Sequence, residues 1–137
     1  MSLIKCACHI LFRNENITIL AIVSSHPKNF AHREAIRLTW GNEFNNMHSN
    51  NPEFDGQIIF QVGLEKPNTP GIKELLKEES EQYGDLLVQD FVEHYNNLTI
   101  KTVMLLKYVS QLTVIPTFIF KVLITRYLLL KQHKGTN

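Results

Sequence analysis

Apolar and polar positions alternate in blocks along the chain, and the blocks have two different rhythms. Residues 17–23 (ITILAIV) form an unbroken apolar run rich in β-branched side chains, the pattern of a strand covered on both faces. Ser24, Ser25, His26 and Pro27 break it. A helix is predicted next, with Asn29 as a candidate cap, Ile36 and Trp40 stacked one turn apart towards a core, and Gly41 as the stop. Residues 41–56 are polar and Asn-rich, which predicts a surface loop, and 57–64 (QIIFQVGL) predict a second buried strand. Thr69-Pro70 then opens a helix whose dry face would hold Ile72, Leu75, Leu76 and Tyr83, with Lys73, Lys77, Glu78 and Glu81 in water. Gly84-Asp85 turns the chain into a third strand at 86–89. A further helix starts near Asn97, with Leu98, Val103, Leu106 and Val109 pointing to the core, and 118–121 predict the next strand.

Strands that alternate with helices at these lengths predict an α/β fold: a Rossmann-like, doubly wound layer with ligands at the carboxyl ends of its strands. The 137 residues make one small domain, and 44% hydrophobic with 20% charged residues is an ordinary globular composition. A net charge of +1 argues against a strong sequence-independent hold on nucleic acid. The charge is uneven, however. Glu93 is the last acidic residue, and Lys101, Lys107, Lys121, Arg126, Lys131 and Lys134 follow it, so the segment beyond offers no carboxylate to a hard cation. Cys6 and Cys8 are the only cysteines. Their spacing is too tight for an unstrained disulfide and their number too small for a closed zinc site, so they read as free thiols. The apolar patch at 3–12 is too short for a membrane span, and Pro116, Lys121 and Arg126 interrupt the one at 114–130, so no anchor or signal segment is expected in the chain as written.

Chemistry-bearing residues gather at the strand–helix junctions. Ser24 and Ser25 stand where the first strand hands over to the first helix, a place for hydroxyl and backbone N–H contacts to a nucleotide, or simply for a turn and cap. Arg33 and Arg37 share a helical face and repel each other by roughly 0.2–0.5 kcal/mol unless an anion lies beside them. A solvated face with Glu34 offsetting Arg37 is the plainer alternative. Asp90 follows the third strand. Lys101 falls in the first turn of the last helix, where a cation is disfavoured unless a phosphate partners it; an exposed lysine without a partner is the alternative. Asn16-Ile17-Thr18 and Asn97-Leu98-Thr99 are glycosylation sequons, relevant only in a secretory compartment. The six histidines show neither metal-ligand spacing nor an arguable catalytic order, and glycine-rich phosphate-binding boxes are absent.

Two strings carry a resemblance. Residues 33–41 read R-x-A-I-R-x-T-W-G, and residues 90–102 read D-F-x-E-x-Y-x-N-L-T-x-K-T, with Glu93 where the pattern has Asp. In this order they resemble the β-1,3-glycosyltransferase family of galactosyl- and N-acetylglucosaminyltransferases. The resemblance implies a GT-A-type fold, a UDP-sugar donor, a glycan acceptor, a divalent metal (manganese), and a lumenal domain at the Golgi membrane. It also implies a donor site built on Ser24, Ser25, Arg33, Arg37, Asp90 and Lys101. In the family the strand matching 118–121 leads into an Asp-Asp-Asp-Val cluster that holds the metal, and here Val122-Leu123-Ile124-Thr125-Arg126 stands in that place. The expectation is therefore a donor-binding half at 17–121, preceded by an extension at 1–16 and followed by an aberrant tail at 122–137. Such a chain lacks both metal ligands and acceptor base, so negligible turnover is expected. A non-catalytic fragment that binds UDP, or that pairs with a full-length transferase, is the alternative.

Overall fold

The computed structural model describes residues 10, 12, 16–64, 71–113 and 116–123. Its elements run β1 (Ile19–Ser24), α1 (Phe30–Leu38), α2 (Trp40–Asn45), β2 (Gly56–Leu64), α3 (Ile72–Tyr83), β3 (Leu86–Val92), α4 (Leu98–Ser110) and β4 (Phe118–Leu123). Short 3-10 turns lie at Met47–Ser49 and Tyr95–Asn97. The strands form one parallel sheet in the order β3-β2-β1-β4, with Ile22 beside Ile59 and Lys121, and Ser24 beside Gln61 and Leu123. Both faces are covered. Ala21, Val23, Ile58, Phe60, Val62, Leu86 and Val88 meet Ile36 of α1 and Leu76 of α3, while Leu20, Ile22, Ile59 and Leu87 meet Leu105 of α4. This is the α/β fold class predicted from the alternation of apolar blocks. The chain lays down β1, β2 and β3 in one direction and then returns to the far side of β1. A right-handed crossover puts α1 and α3 on one face and α4 on the other. Burying Leu20, Ile22 and Ile59 completely stabilises the layer by about 1.5–3 kcal/mol for each side chain.

The strand predictions hold with shifted ends, and several helix predictions need correcting. Gly41 does not stop a helix. The break falls at Thr39, and Gly41 sits buried inside α2, where a Cβ would stand 2.6 Å from the Ile36 carbonyl oxygen and 2.7 Å from the Ile58 Cδ1. Glycine is required there because α2 folds back onto the end of α1 and onto β2. Trp40, expected in the core, is exposed, and much of the expected loop at 41–56 is helical. On α3, Leu75 and Tyr83 are exposed while Glu79 and Ser80 are buried with Leu76. Gly84 ends that helix at φ 63°, where its N–H bonds the Ser80 carbonyl. The Thr69-Pro70 opening of this helix lies outside the described residues, as do Cys6, Cys8 and the chain beyond 123.

The last helix is rotated from its predicted orientation. Leu98, Val103 and Leu106 are exposed, and Lys101, Met104 and Leu105 face the sheet. Two buried glutamines account for this: Gln61 Nε2 donates to the Lys101 carbonyl at 2.8 Å and Gln89 Nε2 to the Met104 carbonyl at 3.0 Å. A buried amide without a partner costs about 1–3 kcal/mol, enough to choose a helix face against a weak apolar stripe. Finally, β4 runs through Val122 and Leu123, two residues past the boundary expected at 121.

Candidate functional site

Strand order reverses between β1 and β4, so the carboxyl edge at Ser24 is the crevice where an open α/β sheet receives ligands. The next residue, Ser25, is held from three directions. Its N–H bonds the Gln61 carbonyl at 3.0 Å, its hydroxyl accepts from Arg33 Nη1 at 3.0 Å, and its carbonyl accepts from Lys101 Nζ at 3.2 Å. One string supplies Arg33 and the other Lys101, so the two meet on this turn from opposite faces of the sheet.

Arg33 is completely buried. Its Nε and Nη2 form a two-pronged pair with Glu79 at 2.7 and 2.8 Å, Nη1 also bonds the His26 carbonyl, and Nη2 the Pro27 carbonyl. Every N–H of the guanidinium is thereby used inside the protein. Arg37 pairs with Asp85 through Nε and Nη2, both at 2.8 Å, reaches Glu79 at 2.9 Å, and stacks 3.8 Å from the centre of the Tyr83 ring. The anions that relieve the repulsion between these arginines are thus Glu79 and Asp85, not Glu34 and not a ligand. Burial alone would raise the Glu79 carboxyl, but the hydrogen bonds and charges of Arg33 and Arg37 outweigh it and hold the group below the ordinary range.

Lys101 is not the exposed, partnerless lysine of the plainer alternative. It is buried, and its Nζ lies 2.6 Å from Glu93 Oε1. Burial, only partly offset by Glu93 and reinforced by nearby Lys121, holds the ammonium below the ordinary lysine range. The other oxygen of Glu93 accepts the Gly63 N–H at 2.8 Å. Here β3 bulges, for Val62 pairs with Val88 but Leu64 with Val92. Asp90 therefore lies within the strand rather than after it, exposed on the bulge, with no side-chain partner among the described residues. Ser24 likewise has no hydroxyl partner among them. Lys121 Nζ donates to Thr102 Oγ1 at 2.8 Å and faces no carboxylate among the described residues.

Both sequons are structurally engaged. Asn97 Nδ2 donates to the Val92 carbonyl at 2.8 Å, and the Thr18 hydroxyl bonds the Asp55 backbone N–H and carbonyl. Glu79, Asp85, Glu93 and Gln61 were not proposed as site residues from the sequence. Glu79 had a signal, because it stands three residues after Leu76 on the dry face of α3. Glu93 had one in its place within the second string. Among the described residues no group of three or more His, Cys, Asp or Glu side chains is placed to hold a metal ion, and no helix is long and apolar enough to cross a membrane.

Comparison with known proteins agrees on one family. The family model described as galactosyltransferase matches residues 31–123. Human UDP-GalNAc:beta-1,3-N-acetylgalactosaminyltransferase 1 is 33% identical over 99 residues, covering 72% of this chain and 28% of that protein. Lactosylceramide 1,3-N-acetyl-beta-D-glucosaminyltransferase B of Danio rerio is 38% identical over 93 residues, covering 66% and 24%. Beta-1,3-galactosyltransferase 1 of Mus musculus is 37% identical over 98 residues, covering 70% and 28%. The match spans roughly a quarter of the length of each of these relatives.

Proposed function

Because the chain belongs to the galactosyltransferase family, we infer that its sheet edge at Ser24 is the donor side of a β-1,3-hexosyltransferase domain that takes a UDP-sugar and acts on a glycan hydroxyl. The observation that carries this reading is the convergence of the two family strings on Ser25, at the point where the strand order reverses. Ser24 and Asp90 offer side chains to the nucleotide. Arg33 and Ser25 hold the turn that presents Ser24, Arg37 braces Glu79 behind Arg33, and Lys101 holds the turn from the other face. Lys121 and the N-terminal turn of α4 supply the positive potential that a diphosphate needs. In the same reading the domain works in the secretory pathway, at the Golgi membrane.

The divalent metal of the family finds no matching donor set among the described residues. Glu79, Asp85 and Glu93 are each paired to a cation, and Val122 and Leu123 occupy the end of β4. The 137-residue chain is accordingly assigned donor binding without turnover. Calorimetric titration should give tighter binding for UDP than for uridine, and equal affinities would remove the diphosphate from the site. Incubation with UDP-galactose and manganese should release no galactose above background, and chelator-sensitive release would overturn the assignment.

A further inference from the structure

The carboxylate at Glu93 is placed to do more than neutralise a buried lysine. Its Oε1 takes the Lys101 ammonium at 2.6 Å, its Oε2 takes the Gly63 N–H at 2.8 Å, and the same ammonium donates to the Ser25 carbonyl at 3.2 Å. Those contacts join the chain just after β3 to the end of β2, the end of β1 and the first turn of α4. Gly63 is part of the arrangement: a Cβ there would stand 2.6 Å from both Glu93 Oε2 and the Phe91 ring, so only glycine lets the carboxylate come this close. Lys101 Nζ also lies 5.8 Å from the centre of the Phe91 ring, which places an aromatic face beside the ion pair. With a strong donor on each oxygen, Glu93 is not a spare ligand for a cation.

We propose that Glu93 is a positioning residue of the donor site, acting through Lys101 and Gly63 to set the height of the Ser24–Ser25 turn against the bulge that carries Asp90. The proposal rests on the donor-side reading above. It differs from a direct role for Lys101 on the diphosphate, and the two roles have opposite signs. If Lys101 contacted phosphate directly, Glu93 would compete with the ligand, and removing its charge would tighten UDP binding. If Glu93 positions the turn, removing its charge loosens the turn and weakens binding.

The test is calorimetric titration of UDP into the full chain and its variants, under conditions where circular dichroism shows each to be folded. Glu93→Gln keeps the shape and Gly63→Ala keeps the charge while displacing the carboxylate. Each is expected to weaken UDP binding on the order of tenfold, the low end of what outer hydrogen-bond partners of a binding group contribute. Lys101→Met should weaken it as well, and the pair Glu93→Gln with Lys101→Met should lose little more than either alone, since both act through one contact chain. Unchanged or tighter binding by Glu93→Gln, or fully additive losses in the pair, overturns the proposal while leaving the donor site standing. Failure of the unaltered chain to bind UDP at all overturns the donor-side reading and this proposal with it.

Discussion

On the α1–α3 face of the sheet, two arginines meet two carboxylates, and every N–H of Arg33 is spent inside the protein. On the α4 face one lysine meets one carboxylate, and its ammonium reaches the same serine through the carbonyl instead of the hydroxyl. Guanidinium offers a rigid planar fork that can satisfy carboxylates and carbonyls together, whereas an ammonium is a compact point charge on a flexible stem. The arginine side is thus suited to fixing the architecture and the lysine side to adjusting one turn within it. Cation-rich strings in a sequence do not announce which of these they encode. Only the anions, which arrive from other elements, tell them apart.

The most damaging way to probe this difference is to remove the buried fork. Arg33→Met leaves Glu79 buried with half its partners and frees the carbonyls of His26 and Pro27. The loss should be about 3 kcal/mol, within the range for breaking a buried ion pair. Urea denaturation would register it as a lowered midpoint at unchanged slope. A loss under about 1 kcal/mol would mean that the arginine cluster is no more structural than an ordinary surface pair.

The strands were legible because each is a continuous apolar run, and burial on both faces leaves the sequence few other options there. Helices α1, α3 and α4 were legible as helices but not fully by face, and α2 was read as loop because its residues are polar and Asn-rich. Glu79 looks like surface until Arg33, 46 residues away, is seen to meet it, and Lys101 looks like surface until Glu93 and the Ser25 carbonyl are placed around it. Periodicity reports polarity, not pairing, so a buried charge whose partner comes from another element reads as exposed. Trp40 failed in the opposite way, as a large aromatic left at the surface. The strand-end placement of Ser24 and Ser25 was legible from the apolar run before them, whereas Asp90, expected just after the third strand, lies within it because the bulge carries β3 on to Val92. The roles of Arg33, Arg37 and Lys101 were not legible: the first string is silent about Glu79 and Asp85, and the second contains Glu93 without showing that it pairs with Lys101.

Within the arginine cluster, Arg37→Lys sharpens the distinction between fork and point charge. It keeps the charge but loses the two-pronged contact to Asp85 and the stacking on Tyr83. About 1–2 kcal/mol should be lost by urea denaturation, as for hydrogen bonds to charged groups. A loss within a few tenths would show that charge alone holds this contact.

Acid tests the same cluster without mutation. Glu79 is held below its ordinary value of 4.5, so the folded state releases that proton more readily than the unfolded one. Its contribution is fully present above about pH 4.5 and is lost as pH falls through the lower folded value. Stability measured by urea midpoint should decline over that window, and Glu79→Gln should show a shallower decline from a lower starting point. Parallel declines in the two proteins would move the acid sensitivity to other carboxylates.

The smallest effect belongs to the lysine side, and its sign in pH is opposite to what an ordinary lysine would give. Lys101→Met replaces a buried ammonium by an apolar chain of similar length, removing a desolvation cost along with the contacts to Glu93 and Ser25. The net change at neutral pH should be smaller than that of Arg33→Met, because the desolvation cost removed with the ammonium offsets part of the penalty of leaving Glu93 with the Gly63 N–H alone. Since burial holds the folded pKa of Lys101 below 10.5, the unfolded chain binds more protons between the two values. The unaltered protein should therefore gain stability as pH rises through that window, and the Met variant should lack this gain. Urea midpoints compared from about pH 7 to 10 would show the two curves diverging upward for the unaltered chain. Curves that stay parallel would place the ammonium in water after all, and the division between an arginine side that fixes the fold and a lysine side that tunes the turn would lose its electrostatic basis.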